Sequence, residues 1–262
     1  TKAKMKKFVQ DLTVTSVEML SPKHVLLKLM ADKPLPEITP GQFVEVQVDH
    51  SPSTYLRRPI SINFVDDQKN ELWLLIAMVG NGTRQLGKLK PGSQLNCLYP
   101  LGNGFTLPAD SNEKMLLVGG GVGIAPLLHL GYEIKKRGGT PTFLLGARTR
   151  EDLLELDQFN QLGRVFITTE DASLGEKGFV TNHSVLQKEK FSRIATCGPK
   201  PMMMSVARYA KANGITCEVS LENKMACGLG ACLCCVEKTN EGNRCVCTDG
   251  PVLNINQLLW QI

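Results

Sequence analysis

Residues 225–250 read MACGLGACLCCVEKTNEGNRCVCTDG and hold six of the chain's nine cysteines. The spacing is Cys227-x4-Cys232-x2-Cys235, then a polar turn, then Cys245 and Cys247. Three thiols at C-x4-C-x2-C with a distant fourth suit a 2Fe–2S cluster, in which each iron takes two sulfur ligands. Gly228 and Gly230 fall between the ligands, where glycine permits the positive φ of a tight curl. Structural zinc favours C-x2-C pairs on two knuckles, so the four-residue gap favours iron–sulfur over a zinc knot. Six cysteines compete for four places. Cys234 adjoins Cys235 and should point elsewhere. Cys245 and Cys247 are two apart and would share one side of a strand, so spacing leaves both open as the fourth ligand. Cys97, Cys197 and Cys217 lie in apolar stretches and read as small buried hydrophobes.

Other stretches could hold phosphate. GGGVGIAP, Gly119–Pro126, stands where an apolar strand gives way to a helical pattern. Glycines there let backbone N–H groups approach a pyrophosphate at a helix N-terminus, although Pro126 stands where the third glycine of G-x-G-x-x-G would be. TCGPKP, Thr196–Pro201, places Cys197 and Gly198 at the end of another strand, on the same carboxyl edge of the sheet, where ligands of open α/β sheets bind. LRRPISI, Leu56–Ile62, sets Arg57 and Arg58 beside Pro59, Ile60 and Ser61: charge for a phosphate, an apolar wall for a ring and a hydroxyl. GNGT, Gly80–Thr83, adds close backbone and a second hydroxyl.

The elements that must position these residues come in three groups. Through residue 110 the alternation in HVLLKLMA and GQFVEVQV, the apolar run ELWLLIAMV and regular Pro/Gly breaks predict a small antiparallel β-barrel or sandwich. Residues 111–220 alternate strand and helix, including one helix over REDLLELDQFNQLG, and predict a parallel, Rossmann-like α/β domain. Residues 221–262 form a small cysteine-bearing unit. The ending NQLLWQI is apolar enough to pack on its own core or to help dock a partner. Composition is that of a globular chain, 42% hydrophobic and 21% charged. A net charge of +5 without a Lys/Arg block points away from nucleic acid. The basic start, Thr1 to Lys7, has no apolar run behind it, and no stretch of about 18 apolar residues suggests a membrane span. These features predict a cytoplasmic protein, where reducing conditions favour metal or redox roles for cysteine over disulfides.

Together the motifs resemble the ferredoxin reductase superfamily: Arg58-x-Ile60-Ser61 its R-x-Y-S flavin motif, Gly82-Thr83 its second FAD phosphate loop, and Gly121-x-Gly123-x-x-Pro126 with Cys197-Gly198-x-x-x-Met202 its nicotinamide loops. MACGLGACLCC…CTDGPV is similar to one branch, the electron-transfer subunits of type B dihydroorotate dehydrogenase. That resemblance implies an oxidoreductase subunit with FAD, a 2Fe–2S cluster and NAD as substrate. It implies a partner as well, an FMN-containing catalytic subunit that makes orotate, in a heterotetramer. It points to Cys227, Cys232, Cys235 and Cys247 as cluster ligands, with Cys245 spare. It implies that Arg58, aided by Arg57, holds the flavin pyrophosphate and that Ser61 sits near the reacting flavin nitrogen. Pro59 and Ile60 would flank the flavin, the backbone of the strand at Leu75, Ile76 and Ala77 the flavin or its adenosine, and Gly82 and Thr83 its phosphate. Gly119, Gly120, Gly121, Gly123, Pro126 and Gly198 would cradle the dinucleotide, with Cys197 beside the nicotinamide. Ile60 replaces the motif's usual tyrosine. Arg148 and Arg150 suit a 2′-phosphate, while Glu170 and Asp171 suit a free ribose hydroxyl; the family favours NAD. The rival readings are the flavin and iron–sulfur subunit of a ferredoxin:NADP reductase complex or of a soluble hydrogenase, and, from another class, a non-enzymatic redox sensor or zinc-stabilised binding protein.

Overall fold

The computed structural model describes residues 6–262; the first five residues of the basic start lie outside them. Six strands close a barrel: β1 (Phe8–Ser21), β2 (His24–Met30), β3 (Phe43–Val46), β4 (Arg58–Asp66), β5 (Glu71–Ala77) and β6 (Gln94–Leu101), in the order β1-β2-β5-β4-β3-β6. Every adjacent pair is antiparallel. The predicted alternation is what fills it: Val25, Leu27 and Leu29 of β2, with Val44 and Val46 of β3, point into one buried core. A six-residue helix, α1 (Asn81–Leu86), follows β5.

Beyond the barrel the chain runs β7 (Met115–Gly120), α2 (Ala125–Lys136), β8 (Thr142–Ala147), α3 (Leu156–Leu162), β9 (Arg164–Thr169), β10 (Glu176–Lys177), α4 (Val185–Lys188), β11 (Arg193–Cys197), α5 (Lys200–Ala212) and β12 (Thr216–Ser220). The sheet order β10-β9-β8-β7-β11-β12 is parallel throughout. It is the arrangement that strand–helix alternation predicts, with the strand order reversing beside β7. One helix expected over residues 150–163 is in fact two pieces: a single 3-10 turn, Arg150–Asp152, and α3. Glu155 separates them in a left-handed conformation, φ 55°.

The C-terminal segment carries a hairpin, β13 (Val236–Thr239) with β14 (Gly242–Cys245). It then returns β15 (Val252–Asn254) to the large sheet, antiparallel to β12. One core joins α5, β15 and the cysteine unit to the outer face of the barrel, through Phe43, Leu98 and Leu101. Another joins Leu26 and Leu75 of the barrel to Ile124 and Leu127 at the start of α2. The C-terminus packs on its own core through Leu258, Trp260 and Ile262. Among the described residues no helix is long and apolar enough to cross a membrane.

Candidate functional site

The cysteine loop turns twice through glycines at positive φ, Gly228 at 65° and Gly230 at 79°. Space as well as φ demands glycine at 228, since a Cβ there would stand 2.9 Å from Glu45 Cγ and 3.0 Å from Leu101 Cδ1. The loop therefore lies directly on β3 and β6. Its thiols meet in two pairs. Cys232 acts on the titration of Cys227, and Cys235 on that of Cys247. Backbone N–H groups aim at the sulfurs: Leu229 N donates to Cys227 Sγ (3.3 Å), Gly230 N to Cys247 Sγ (3.2 Å) and Cys247 N to Cys235 Sγ (3.4 Å). Donation from Leu229, then from Cys232 and Ala231, brings the Cys227 thiol down to about 6, toward the thiolate that a metal binds. Burial pushes Cys247 up to about 12. Two thiol pairs with N–H donors on the sulfurs fit a 2Fe–2S cluster, two ligands to each iron. Among the described residues no group of three or more His, Cys, Asp or Glu forms a site for a single metal ion. Cys245 ends β14 half-buried and Cys234 is exposed.

Beneath this loop sits a residue that sequence reasoning missed. Glu45 is fully buried and both its carboxylate oxygens lack a partner. Burial raises its carboxyl to about 7. The signal in the sequence was a lone charge inside the apolar run FVEV.

The flavin motif lies on β4, which pairs with β3 through Phe43↔Ser61, Val44↔Ile60, Glu45↔Pro59 and Val46↔Arg58. The β4–β5 register ends at Ile62↔Leu74, and there Arg58–Ser61 and Leu75–Ala77 part. The barrel thus opens between the two stretches expected to flank a flavin. Leu75 and Ile76 are buried and Ala77 is half-buried at the strand end. Arg58 Nη1 donates to the carbonyls of Leu56 (2.7 Å) and Arg57 (3.3 Å). A Cβ at Gly82 would lie 3.1 Å from Arg58 Nε and 3.0 Å from Thr54 Cγ2, so this turn and the arginine form one cradle. Thr83 Oγ1 bonds Gly80 at 3.1 Å in both directions and closes the turn. Arg57 is engaged elsewhere, with the carbonyls of Glu45 and Asn96 and the side chains of Asn96 and Gln47, pinning β3 to β6. Tyr55, Leu56 and Val79 expose apolar surface beside the opening, Tyr55 at 92%. An arginine, a glycine cradle and uncovered apolar side chains fit a flavin dinucleotide.

The third part is a cleft of about 590 Å³ along the carboxyl edge of the parallel sheet. Gly120 and Gly121 line it, with Gly146, Arg148, Thr168, Glu170, Pro199 and Met202. Gly119, Gly123, Pro126 and Gly198 stand behind its surface. A Cβ at Gly123 would collide with the backbone of Gly198, which is how the turns after β7 and β11 come so close. Cys197 is also behind the surface, 1% exposed, and burial raises its thiol. Of the four residues weighed for the ribose, Arg148 and Glu170 line the cleft. Asp171 instead accepts from Ser173 N and Oγ, and Arg150 N donates to Ser173 Oγ. Lys23 and His24 of the barrel's β1–β2 turn wall the cleft, as do Phe179 and Thr181. Phe179 is 64% exposed. Sequence reasoning missed these four, because their distance along the chain hides their convergence.

Two family models match: the iron–sulfur cluster binding domain of dihydroorotate dehydrogenase B over residues 222–259, and the oxidoreductase NAD-binding domain over residues 117–208. The electron transfer subunit of dihydroorotate dehydrogenase B (NAD(+)) from Shouchella clausii is 40% identical over 226 residues, 84% of this chain and 86% of that one. The subunit of the same name from Fusobacterium nucleatum is 35% identical, over 93% of this chain and 96% of that one. A solved NADH-dependent reduced ferredoxin-NADP oxidoreductase superposes with a TM-score of 0.84 at 27% identity, covering 95% of this chain and 90% of that one. A ferredoxin NADP+ reductase from Neisseria gonorrhoeae, at 20% identity and TM-score 0.66 over 79% of this chain and 92% of that one, shares the fold. On this evidence the chain belongs to the family of dihydroorotate dehydrogenase B electron transfer subunits.

Proposed function

We propose that this chain holds FAD and a 2Fe–2S cluster and passes electrons between NAD(H) and an FMN-containing catalytic subunit that converts dihydroorotate to orotate. Contiguity carries the reading. The cysteine loop rests on β3 through Gly228 and Glu45, β3 pairs with β4 through the flavin motif, and β4 packs on α2, which opens from the glycine turn of the cleft. When bound, flavin exchanges electron pairs with a nicotinamide and single electrons with an iron–sulfur centre.

The chain's own residues bind, orient and exclude water. Cys227, Cys232, Cys235 and Cys247 would hold the cluster; the pairing of Cys247 with Cys235 and with Gly230 N supports it over Cys245 as the fourth ligand. Cys235 and Cys247 are 2% and 1% exposed, which keeps water from half of the sulfur set. Arg58 and the Gly82 cradle would take the flavin pyrophosphate. Ser61, half-buried beside the opening, would orient the ring. The backbone of Gly120 and Gly121 would face the NAD pyrophosphate. Cys197, 1% exposed, would support the floor behind Gly198 on which a nicotinamide would rest. Residues 1–110, 111–220 and 221–262 would then serve flavin, dinucleotide and cluster in turn. A heterotetramer with the catalytic subunit, in the cytoplasm, belongs to the same proposal; nine free cysteines suit a reducing compartment.

The test is an absorption spectrum with iron, sulfide and flavin assays on anaerobically purified protein. Flavin and iron–sulfur bands bleached by NADH are expected, as is a complex with the catalytic subunit that reduces NAD with dihydroorotate. Cys232→Ser should abolish the iron–sulfur bands. Zinc in place of iron, or bands that NADH leaves unchanged, would remove the reading.

A further inference from the structure

Barrel and α/β domain share a buried apolar cluster that includes Leu26, Leu75, Ile124 and Leu127. Phe64 of β4 packs on Trp73 and Tyr132, with ring centroids 5.0 Å apart in both pairs, and on His129 at 5.9 Å. Polar links cross the same interface: Lys136 Nζ donates to Asp67 Oδ2 at 3.2 Å near the surface, His129 Nε2 lies 3.4 Å from Ile38 O, and a further link, from Asn63, is the one on the flavin-motif strand. Asn63, 0% exposed, donates from Nδ2 to Glu155 Oε2 at 2.9 Å and to Ala125 O at 3.3 Å. Ala125 opens α2 directly after the turn Gly121–Ile124. Asn63 itself stands two residues beyond Ser61 on the flavin strand.

This link is poor as a stabiliser. Asn63 Oδ1 and Glu155 Oε1 are buried without partners, and Glu155 occupies positive φ without being glycine. Unsatisfied buried polar atoms and left-handed backbone both cost stability, and an apolar pair in the same place would avoid the first cost. What an apolar pair would not do is fix direction. Edge-to-face rings tolerate small shifts, whereas an amide hydrogen-bonded to two points of the facing domain is held in direction. We propose that Asn63 is a positioning residue, whose amide ties the flavin-motif strand to the first turn of α2 and to the cap of α3 and so sets how the flavin opening faces the dinucleotide cleft. The inference rests on the function proposed above. It places the cost of the link in geometry, because small misplacement of reacting groups lowers the rate with little effect on binding.

The test is anaerobic stopped-flow bleaching of the full chain, loaded with FAD and cluster, by NADH. Asn63→Ala should lower the limiting rate by about tenfold or more. FAD and iron content, and the NADH concentration giving half the limiting rate, should stay at wild-type values. Glu155→Gln keeps an oxygen for Asn63 and should retain the rate, while Glu155→Ala should share the loss. A fully loaded Asn63→Ala that bleaches at the wild-type rate overturns the proposal. So does a rate loss matched by an equal loss of bound FAD. Should Asn63→Ala fail to fold, Glu155→Ala at the wild-type rate overturns it. Wild-type protein that NADH does not bleach would refute the proposed function instead.

Discussion

Glu170 and Arg148 face the same cleft with opposite charge, and which one meets the adenosine ribose decides the cofactor. A carboxylate accepts from a free 2′-hydroxyl and repels a 2′-phosphate, while arginine does the reverse. Glu170 follows β9 directly and its backbone N–H is bound to Ala147 O at 3.1 Å, so its position is fixed by the sheet. Glu170→Arg should therefore move the ratio of kcat/KM for NADH over NADPH by about tenfold or more toward NADPH, a change of roughly 1.4 kcal/mol in transition-state binding. Steady-state reduction of an external acceptor with each nucleotide checks it; an unchanged ratio would leave the choice to Arg148. The sequence alone could name these four charged residues but not sort them, since only the folded loops show that Asp171 turns back on Ser173 and Arg150 lies outside the cleft. The cysteines were more legible, because ligand spacing is a local property. Choosing between Cys245 and Cys247 was not, because it depends on where β14 ends. Here it ends at Cys245, and the chain turns so that Cys247 meets Cys235. Cys245→Ser should keep the iron content of the wild type and Cys247→Ser should lose it, by metal assay.

At the scale of elements, the sequence was readable wherever period and punctuation agreed. Strands β2, β3 and β5 of the barrel and β7, β8, β9, β11 and β12 of the parallel sheet lie where expected, while β1, β6 and β10 carry no pattern that singled them out. It failed over residues 150–163, where LLELDQF carries a helical pattern and the chain nonetheless breaks at Glu155. The break is tertiary: the carboxylate is drawn to Asn63, 92 residues away, and no local preference announces that. It failed again at β15, a three-residue strand that pairs with the free edge of β12 far along the chain. The turns after β7 and β11 show the opposite case, a sequence feature with a sharper reason than first supposed. Gly123 reads as room for a ligand's phosphate, yet the space it frees is taken by Gly198. The absence of a Cβ there lets two strand ends approach. Gly123→Ala should then destabilise the α/β domain by about 1–3 kcal/mol through overpacking, read as a lower denaturation midpoint with an unchanged slope. A variant with wild-type stability and weakened NADH binding would return the residue to the phosphate.

The whole molecule holds its three sites in one body by using each interface twice. The outer face of the barrel carries the cysteine unit on Phe43, Leu98 and Leu101 and α2 on Leu26 and Leu75, so flavin strand, cluster loop and glycine turn share neighbours. Such close packing leaves ionisable groups inside, and Glu155 lets that cost be measured. Burial raises its carboxyl to about 7, against an ordinary value of 4.5, while the hydrogen bond from Asn63 lowers it by less; Glu18 and Lys28 are the charges that act on it. The folded state therefore holds a proton that the unfolded state releases between about pH 4.5 and 7. Stability from this group is full below that window, falls as pH rises through it and is constant above. A shift of this size corresponds to roughly 3 kcal/mol at most. Glu155→Gln removes the proton but keeps an oxygen for Asn63. Its stability relative to wild type should thus grow from pH 4.5 to 7 and then level off, measured as the difference in thermal midpoint between the two proteins across that range. A difference independent of pH would mean that Glu155 ionises in the folded protein as it does in water, and that the interface is open enough to hydrate it.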